Sequence, residues 1–219
     1  MQTAEQSQAR TQSISERTRT RLLDRTWRLD HLYHVEDKVG RIVRFRLNDQ
    51  QRDFYEAAWY LNVILKARQL GFSTFIAIFF LDTCIFVRNT RAGIVDARID
   101  DAKKKLAKIK LAYDMMPDEI KAKVPLVSAS AYKLEWANGS SVEVGTSHRG
   151  GTLQMLHISE LGKIAAKFPD KAKEIRTGAL NTIQAGQFVF IESTAEGQEG
   201  DFFETCQAAE AKEIGRAHV

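Results

Sequence analysis

The residues of this sequence best suited to chemistry lie between positions 61 and 78, where a short apolar run, a polar loop and a second apolar run follow one another. The loop, residues 66–74, reads KARQLGFST. If the second run is a helix, its first backbone N–H groups and its dipole favour an anion in the loop. Ser73, with Thr74 beside it, would then supply a hydroxyl ligand for Mg²⁺. The order strand, loop, helix therefore predicts a phosphate site around Gly71.

The loop departs from the standard phosphate-loop pattern G-x-x-x-x-G-K-[ST] at two positions. Lys66 occupies the place of the first Gly, and Phe72 occupies the place of the Lys. A cation is still needed where charge builds on the β and γ phosphates, and Lys66 and Arg68 are the candidates. The loop alone leaves an ordinary alternative open, in which Gly71 ends a strand and Ser73 caps a buried helix.

A second apolar run, residues 154–158, ends in Ser159 and Glu160. A carboxylate at the end of a parallel strand can orient water for attack on a γ phosphate. In many ATPases that have a catalytic Glu at a strand end, the residue before the Glu is an Asp, and this Asp assists Mg²⁺. Here that residue is Ser159. Glu160 is therefore expected to be the sole acidic catalytic group, unless it is simply a carboxylate at a helix start. His157 is interpreted as a packed strand residue.

A third apolar run, residues 188–191, is followed directly by Glu192, Ser193 and Thr194. The carboxyl ends of neighbouring parallel strands meet at one edge of a sheet. The three polar strand ends are thus expected to converge on one site, although each feature alone is a weak indication.

Short apolar runs alternate with charged helical segments, which predicts an α/β fold with a mainly parallel central sheet flanked by helices. The predicted strands are residues 61–65, 92–95, 155–158 and 188–191, with an inserted hairpin of residues 133–136 and 141–144. Residues 100–114 fit an amphipathic helix. Its five lysines could face DNA, but a solvated helix face is the preferred interpretation.

Composition restricts the class of protein. The chain has 219 residues, 44% of them hydrophobic, and a net charge of +4, which permits a phosphate-rich partner without requiring one. Its two cysteines form no metal-binding motif, and no apolar stretch is long enough to span a bilayer. Residues 1–28 are polar and predict an arm whose arginines, Arg28 among them, either contact a partner or lie on a solvated helix.

Taken together, these segments resemble the N-terminal ATPase of phage terminase large subunits, from about Leu47 to Phe203. The similar segments are residues 47–54, the KARQLGFST loop, SHRGGT, LHISELGK and IESTAEG. The resemblance implies a P-loop NTPase of the additional-strand, catalytic-glutamate type, with ATP and Mg²⁺ as cofactors.

The resemblance also implies roles for individual residues. Lys66 and Arg68 would contact phosphate and act in catalysis with Glu160, which would activate water. Gln51 would contact adenine, Gly71 would form the loop turn, and Ser73 and Thr74 would serve phosphate and Mg²⁺, with Glu160 or Ser159 reaching the metal through water. Ser193 and Thr194 would couple hydrolysis to movement. Arg149 is a weaker candidate for phosphate sensing.

By the same resemblance, the chain is expected to power translocation of double-stranded DNA into a procapsid. Its partners would be DNA, a portal protein, a small terminase subunit and further copies of itself in a ring, in the cytoplasm of an infected or lysogenic bacterial host, without a membrane. Two alternatives stay open: a helicase-like DNA-remodelling ATPase, and a non-hydrolysing DNA- or capsid-binding module.

The expected organisation is an arm over residues 1–45, partly helical or mobile, and an ATPase domain over residues 46–212. The family's C-terminal nuclease domain is expected to be absent. Residues 213–219 read EIGRAHV, and one back-translation resembles the start of a common sequencing adapter. This tail is therefore expected to be non-native, with the natural gene continuing past Lys212.

Overall fold

A computed structural model describes residues 16–148, 152–181, 183–195 and 197–218 of the chain. The described helices are α1 (Glu16–Leu23), α2 (Arg25–His31), α3 (Asp49–Ala57), α4 (Phe72–Phe86), α5 (Ile99–Asp114), α6 (Asp118–Lys123), α7 (Leu161–Lys167), α8 (Pro169–Asn181) and α9 (Asp201–Glu210). The described strands are β1 (His34–Glu36), β2 (Ile42–Arg44), β3 (Leu61–Leu65), β4 (Arg91–Val95), β5 (Leu126–Ala129), β6 (Lys133–Trp136), β7 (Ser141–Gly145), β8 (Leu153–Ser159), β9 (Ile183–Ser193) and β10 (Arg216–His218).

The described strands after β2 form one sheet in the order β10-β3-β9-β8-β4-β7-β6-β5. Neighbouring strands from β10 to β7 are parallel, and β6 and β5 continue the sheet in antiparallel fashion. The predicted α/β fold with a mainly parallel sheet is confirmed. Because β3, β9, β8 and β4 are adjacent and parallel, their carboxyl ends lie side by side.

The predicted elements are present, with differences at their ends. β9 begins at Ile183, five residues before the predicted start, and pairs there with Leu153 of β8. Polar and glycine residues in the first half of β9 conceal a strand from an apolar pattern. The hairpin also differs in its setting, because β7 pairs with β4 and thereby belongs to the central sheet.

Alternate strand residues point to opposite faces of the sheet, and each face is covered by helices. Ile64, Ile94 and Phe190 belong to a core formed with α4 and α5. Val63, Ile158 and Ile191 belong to a second core formed with α7, α8 and α9. Both faces of the central strands are therefore buried, which explains their nearly continuous apolar sequence. In the part of the chain that the structure describes, no helix has the length and apolarity to cross a membrane.

Helix α4 carries a fully buried carboxylate, Asp82, on an otherwise apolar surface. Arg28 of α2 donates to both oxygens of Asp82 at 2.7 and 2.8 Å, and the Tyr33 hydroxyl donates at 2.7 Å. The Arg25 guanidinium lies 3.2 Å from the same carboxylate. These contacts join the N-terminal segment to the helix that follows the loop after β3. Neither sequence interpretation of Arg28 holds, because this arginine is buried inside the chain.

We expect Asp82→Ala to lower the free energy of unfolding by about 3–5 kcal/mol, because it leaves the buried Arg28 guanidinium without a counter-charge. Urea denaturation followed by circular dichroism measures this change. The control is Arg41→Ala, which removes the exposed pair between Arg41 and Asp37 and should change stability little. Equal stability of the two variants would contradict a structural role for Asp82.

Candidate functional site

The carboxyl ends of β3, β9 and β8 bring together the predicted Lys66, Ser193 and Glu160 in one site. Lys66 follows β3 directly, and its backbone N–H donates to the Ser193 carbonyl oxygen at 3.0 Å. The Lys66 ammonium lies 2.6 Å from Glu192 Oε2 and 3.4 Å from Glu160 Oε1. Burial alone would lower the pKa of Lys66, but these two carboxylates raise it above its ordinary value. Lys66 is thus a charged group held at the strand ends.

The loop between β3 and α4 turns through two residues with left-handed backbone conformation, Gln69 at φ 68° and Gly71 at φ 77°. Gly71 is the N-cap of α4, and no side chain caps that helix. The positive φ at residue 71 favours glycine, and a Cβ atom there would lie 2.7 Å from Nε2 of the buried Gln51, which would have to shift. The ordinary alternative for this loop is wrong, because Ser73 donates its hydroxyl to Glu192 and does not cap the helix.

The missing lysine of the standard loop has a packing explanation. Phe72 is buried and meets the ring of Phe54 edge to face, with the ring centroids 5.4 Å apart. The position after Gly71 thus contributes to the core, and Lys66 brings a charge to the strand ends from the opposite end of the loop.

Glu192 is the functional candidate that the sequence interpretation missed. Its carboxylate is fully buried and accepts hydrogen bonds from Ser73 and Ser159 at 2.7 and 2.8 Å. A second carboxylate thus lies beside Glu160 at the strand ends, and the role of Glu160 as the sole acidic catalytic group stays a prediction. The signal was present in the sequence, since Glu192 ends an apolar run as Glu160 does.

The environment of Glu192 holds it in its ionised form. Burial alone would raise its pKa, but the hydrogen bond from His157 and the charge of Lys66 hold the pKa far below its usual range. Burial lowers the pKa of His157, whose Nε2 lies 3.2 Å from Glu192 Oε1. The Lys66 ammonium lies on the other side of the carboxylate, 2.6 Å from Oε2.

Glu160 occupies a turn between β8 and α7 with a left-handed backbone, φ 59° and ψ 39°. This conformation costs a non-glycine residue about 1–2 kcal/mol, and the hydrogen bond from Glu160 N to Glu192 O at 2.7 Å helps to hold it. Its Oε2 lies 2.7 Å from the Lys163 ammonium. A Cβ atom on residue 162 would lie 2.8 Å from Ser193 Oγ, so Gly162 lets the Glu160 turn and the end of β9 approach closely.

A cavity of about 1000 Å³ lies beside the loop and the first turn of α4. Lys66, Lys104 and Lys108 line it together with Lys38 of the turn between β1 and β2. Lys108 donates to Thr74 Oγ1 at 3.1 Å. Partial desolvation and then the neighbouring cations Lys105 and Lys66 lower the pKa of Lys108. Glu36 and Asp37 also line the cavity, so its four ammonium groups outnumber the carboxylates and leave a positive balance that suits a polyphosphate.

The solvated-face interpretation of α5 is wrong for Lys105, which forms an ion pair with the buried Asp96 at the end of β4. It holds for Lys104 and Lys108, which are exposed at the edge of the open cavity, and for Lys110, which pairs with Asp114 at the surface.

Other predicted residues lie at varying distances from this centre. Gln51 is buried beside the loop, where its amide donates to Leu70 O and its Oε1 accepts from Asn48 N. Arg68 is exposed in the loop and is not among the residues that line the cavity. Thr194 follows the end of β9, and Arg149 lies outside the described residues. The roles assigned to these residues remain predictions.

The oxygen donors at the strand ends suit a hard divalent cation. Ser73, Ser159, Glu160 and Glu192 offer hydroxyl and carboxylate oxygens, the ligand type that Mg²⁺ prefers. Across the described ranges, no three His, Cys, Asp or Glu side chains cluster as a metal site. Mg²⁺ is commonly held by few protein groups together with substrate phosphates and water.

We expect Gly71→Ala to lower the free energy of unfolding by about 1–3 kcal/mol, because of its positive φ and the contact with Gln51. The matched control is Gly178→Ala in α8, where a Cβ atom meets nothing within 4 Å and should add about 0.5–1 kcal/mol of stability. Urea denaturation of both variants tests the pair. Stabilisation by both substitutions would show that the loop does not require glycine.

Comparison with solved structures identifies similar folds. The ATPase domain of the large terminase of Thermus phage P74-26 superposes with a TM-score of 0.58 at 13% identity, covering 80% of this chain and 78% of that one. The large terminase of bacteriophage HK97 superposes with a TM-score of 0.68 at 15% identity, covering 90% of this chain. The match spans 42% of the HK97 protein's length. No protein-family profile matches the sequence.

The two similarities cover 80% and 90% of this chain. This chain therefore has the fold of the ATPase domains of phage large terminases.

Proposed function

We propose that the chain is the ATPase part of a phage large terminase and that it hydrolyses ATP to move double-stranded DNA into a procapsid. The observation that carries the proposal is the meeting of Lys66, Ser73, Glu160 and Glu192 at three adjacent strand ends. They lie at the N-terminus of α4 and beside a cavity lined by lysines. The fold shared with phage terminase ATPase domains supports the same function.

Phosphate binding follows from charge and backbone geometry. The N-terminus of α4 presents backbone N–H groups and the positive end of the helix dipole to the loop. Lys66 reaches this helix end from the loop, and Lys108 reaches it from α5. A triphosphate placed there would meet both the helix end and the ammonium groups. Gln51, beside Leu70 of the loop, is the proposed adenine contact, and Arg68 could reach phosphate from the exposed side of the loop.

Hydrolysis requires a water molecule oriented for attack and a base that accepts its proton. We propose that Glu160 performs both tasks. Lys66 and Lys163 hold its two carboxylate oxygens, so its position is defined by charge as well as by the strained turn. Bound Mg²⁺ would neutralise charge on the phosphates, and Ser73 and Thr74 offer hydroxyl groups at the helix end for metal and phosphate.

Ser193 and Thr194 are proposed to couple hydrolysis to movement. The Ser193 carbonyl accepts from Lys66 at the start of the loop, and its side chain packs on Gly162 of the Glu160 turn. A movement of the loop or of the Glu160 turn would therefore displace the end of β9. DNA, a portal protein, a small terminase subunit and a ring of further copies are the proposed partners, in the cytoplasm of an infected or lysogenic bacterium.

The rival proposal is a non-hydrolysing DNA- or capsid-binding module. The substitutions at Phe72 and Ser159 favour it if they mark a degenerate site. If Lys66 and Glu192 supply the charges that Phe72 and Ser159 lack, the chain hydrolyses ATP and the rival loses support. Measurement of ATP turnover decides this point.

We expect Glu160→Gln to reduce ATP turnover by about 100- to 10,000-fold while ATP binding is kept, because it removes the base and keeps the side-chain shape. Turnover is measured by phosphate release with DNA and portal protein present, and binding by calorimetric titration. The control is Glu119→Gln on the exposed surface of α6, which should leave both unchanged. A wild-type chain that binds ATP without any turnover would favour the non-hydrolysing module.

The cavity lysines give a separate test of phosphate binding. We expect Lys108→Ala to weaken ATP binding by about tenfold, since a contact with a charged group is lost. Lys110→Ala, on the same helix but paired with Asp114 at the surface, should bind ATP as the wild type does. Equal affinities for the two variants would remove α5 from the proposed phosphate site.

A further inference from the structure

The two hydroxyl groups nearest the centre of the site donate to the same carboxylate oxygen. Glu192 Oε1 accepts from Ser73 of α4 at 2.7 Å and from Ser159 of β8 at 2.8 Å. The other oxygen, Oε2, lies 2.6 Å from the Lys66 ammonium. His157 Nε2 lies 3.2 Å from Oε1. One buried side chain therefore contacts the phosphate loop, the first turn of α4 and the neighbouring strand.

The position of Glu192 relative to β8 gives this contact a chemical meaning. Ser159 stands directly before Glu160, where many ATPases of this kind have an Asp that assists Mg²⁺. Ser159 and Glu192 are register partners on the adjacent parallel strands β8 and β9. The carboxylate that β8 lacks is thus present one strand away, at the same level of the sheet, and it is bonded to the loop hydroxyl proposed to bind the metal.

We propose that Glu192 supplies from β9 the metal-orienting carboxylate that Ser159 does not supply from β8. This inference rests on the proposed ATPase function. In this role Glu192 accepts a hydrogen bond from the Ser73 hydroxyl, which leaves the lone pairs of that oxygen for a cation, and the negative charge of Glu192 would favour a hydrated cation beside the hydroxyl. Glu192 is thus a positioning residue, and Glu160 keeps the role of activating water.

The position of Glu192 in the chain also links the metal site to the coupling residues. Ser193 and Thr194 follow Glu192 directly, and the Glu192 carbonyl accepts from Glu160 N at 2.7 Å. A shift of the carboxylate on binding of a metal-nucleotide complex would act on the same backbone that holds the Glu160 turn. With the metal-orienting carboxylate on β9, metal binding and the coupling motif belong to one short segment.

A merely structural ion pair is the competing explanation for Glu192, and the magnesium dependence of ATP binding separates the two. The readout is the ratio of ATP dissociation constants measured by calorimetry in EDTA and in excess Mg²⁺. For the wild type we expect magnesium to tighten binding by about tenfold or more. In Glu192→Gln we expect this enhancement to fall to about threefold or less. Metal-free ATP binding should stay as tight or become tighter, because Lys66 loses its carboxylate partner.

A swap variant tests whether the carboxylate can act from either strand. We expect Ser159→Asp combined with Glu192→Gln to recover most of the magnesium enhancement lost in Glu192→Gln. The matched control is Asp96→Asn, which removes another buried, lysine-paired carboxylate at the end of β4. That control should lower the melting temperature and leave the magnesium ratio unchanged. A purely structural Glu192 would behave as Asp96 does and would not be rescued by the swap.

The outcomes distinguish this inference from the proposed function. If the wild type binds ATP in neither condition, the ATPase proposal fails and the role of Glu192 fails with it. If the wild type shows the magnesium enhancement and Glu192→Gln keeps it in full, only the role of Glu192 is overturned. If Glu192→Gln does not fold, Glu192→Asp is measured instead: a reduced magnesium ratio supports the role, and an unchanged ratio overturns it.

Discussion

The buried ion pair between Lys66 and Glu192 joins the segments on which the candidate site depends. Lys66 begins the loop after β3, and Glu192 lies next to the last residue of β9, so the pair connects two adjacent strand ends. The same carboxylate holds Ser73 at the start of α4 and Ser159 at the end of β8. A buried charge is tolerated only where its partners satisfy it, and here three of the partners, Lys66, Ser73 and Ser159, are themselves candidate functional groups. Structural integrity and site chemistry therefore rest on one interaction.

A second buried carboxylate extends this organisation towards the N-terminal segment. Asp82 lies within α4, the helix whose first turn carries Ser73, and it binds Arg28 and Tyr33. The turn that follows β1 contributes Lys38 to the cavity and lies against the loop, where Lys38 donates to Gln69 at 2.8 Å. Ser73 in the first turn of α4 and Asp82 in its second half thus have buried charged partners, while the other residues of the helix pack mainly in the core. The segment before β3 is part of the site's surroundings.

Much of the fold could be predicted because its signals are local. β3, β4, β8 and α5 followed from apolar runs and helical periodicity, and their parallel order followed from the alternation of strand and helix. The first half of β9 could not be predicted in this way, since its polar residues lack the apolar pattern of a buried strand. The contacts of the α5 lysines could not be predicted either. Helical periodicity identifies the apolar face of a helix but not the groups that its charged residues contact.

The sequence by itself determined the succession of strands and loops along the chain and the glycine turn at Gly71. It also determined that Lys66, Ser73 and Glu160 lie at strand or helix ends. These are properties of neighbouring residues and of backbone geometry. Only the tertiary structure decided that Glu192, distant from Ser73 and Lys66 in the chain, would accept from one and neutralise the other. Such pairings depend on strand order and register, which bring the ends of β3, β8 and β9 within hydrogen-bonding distance, and no local pattern encodes that distance.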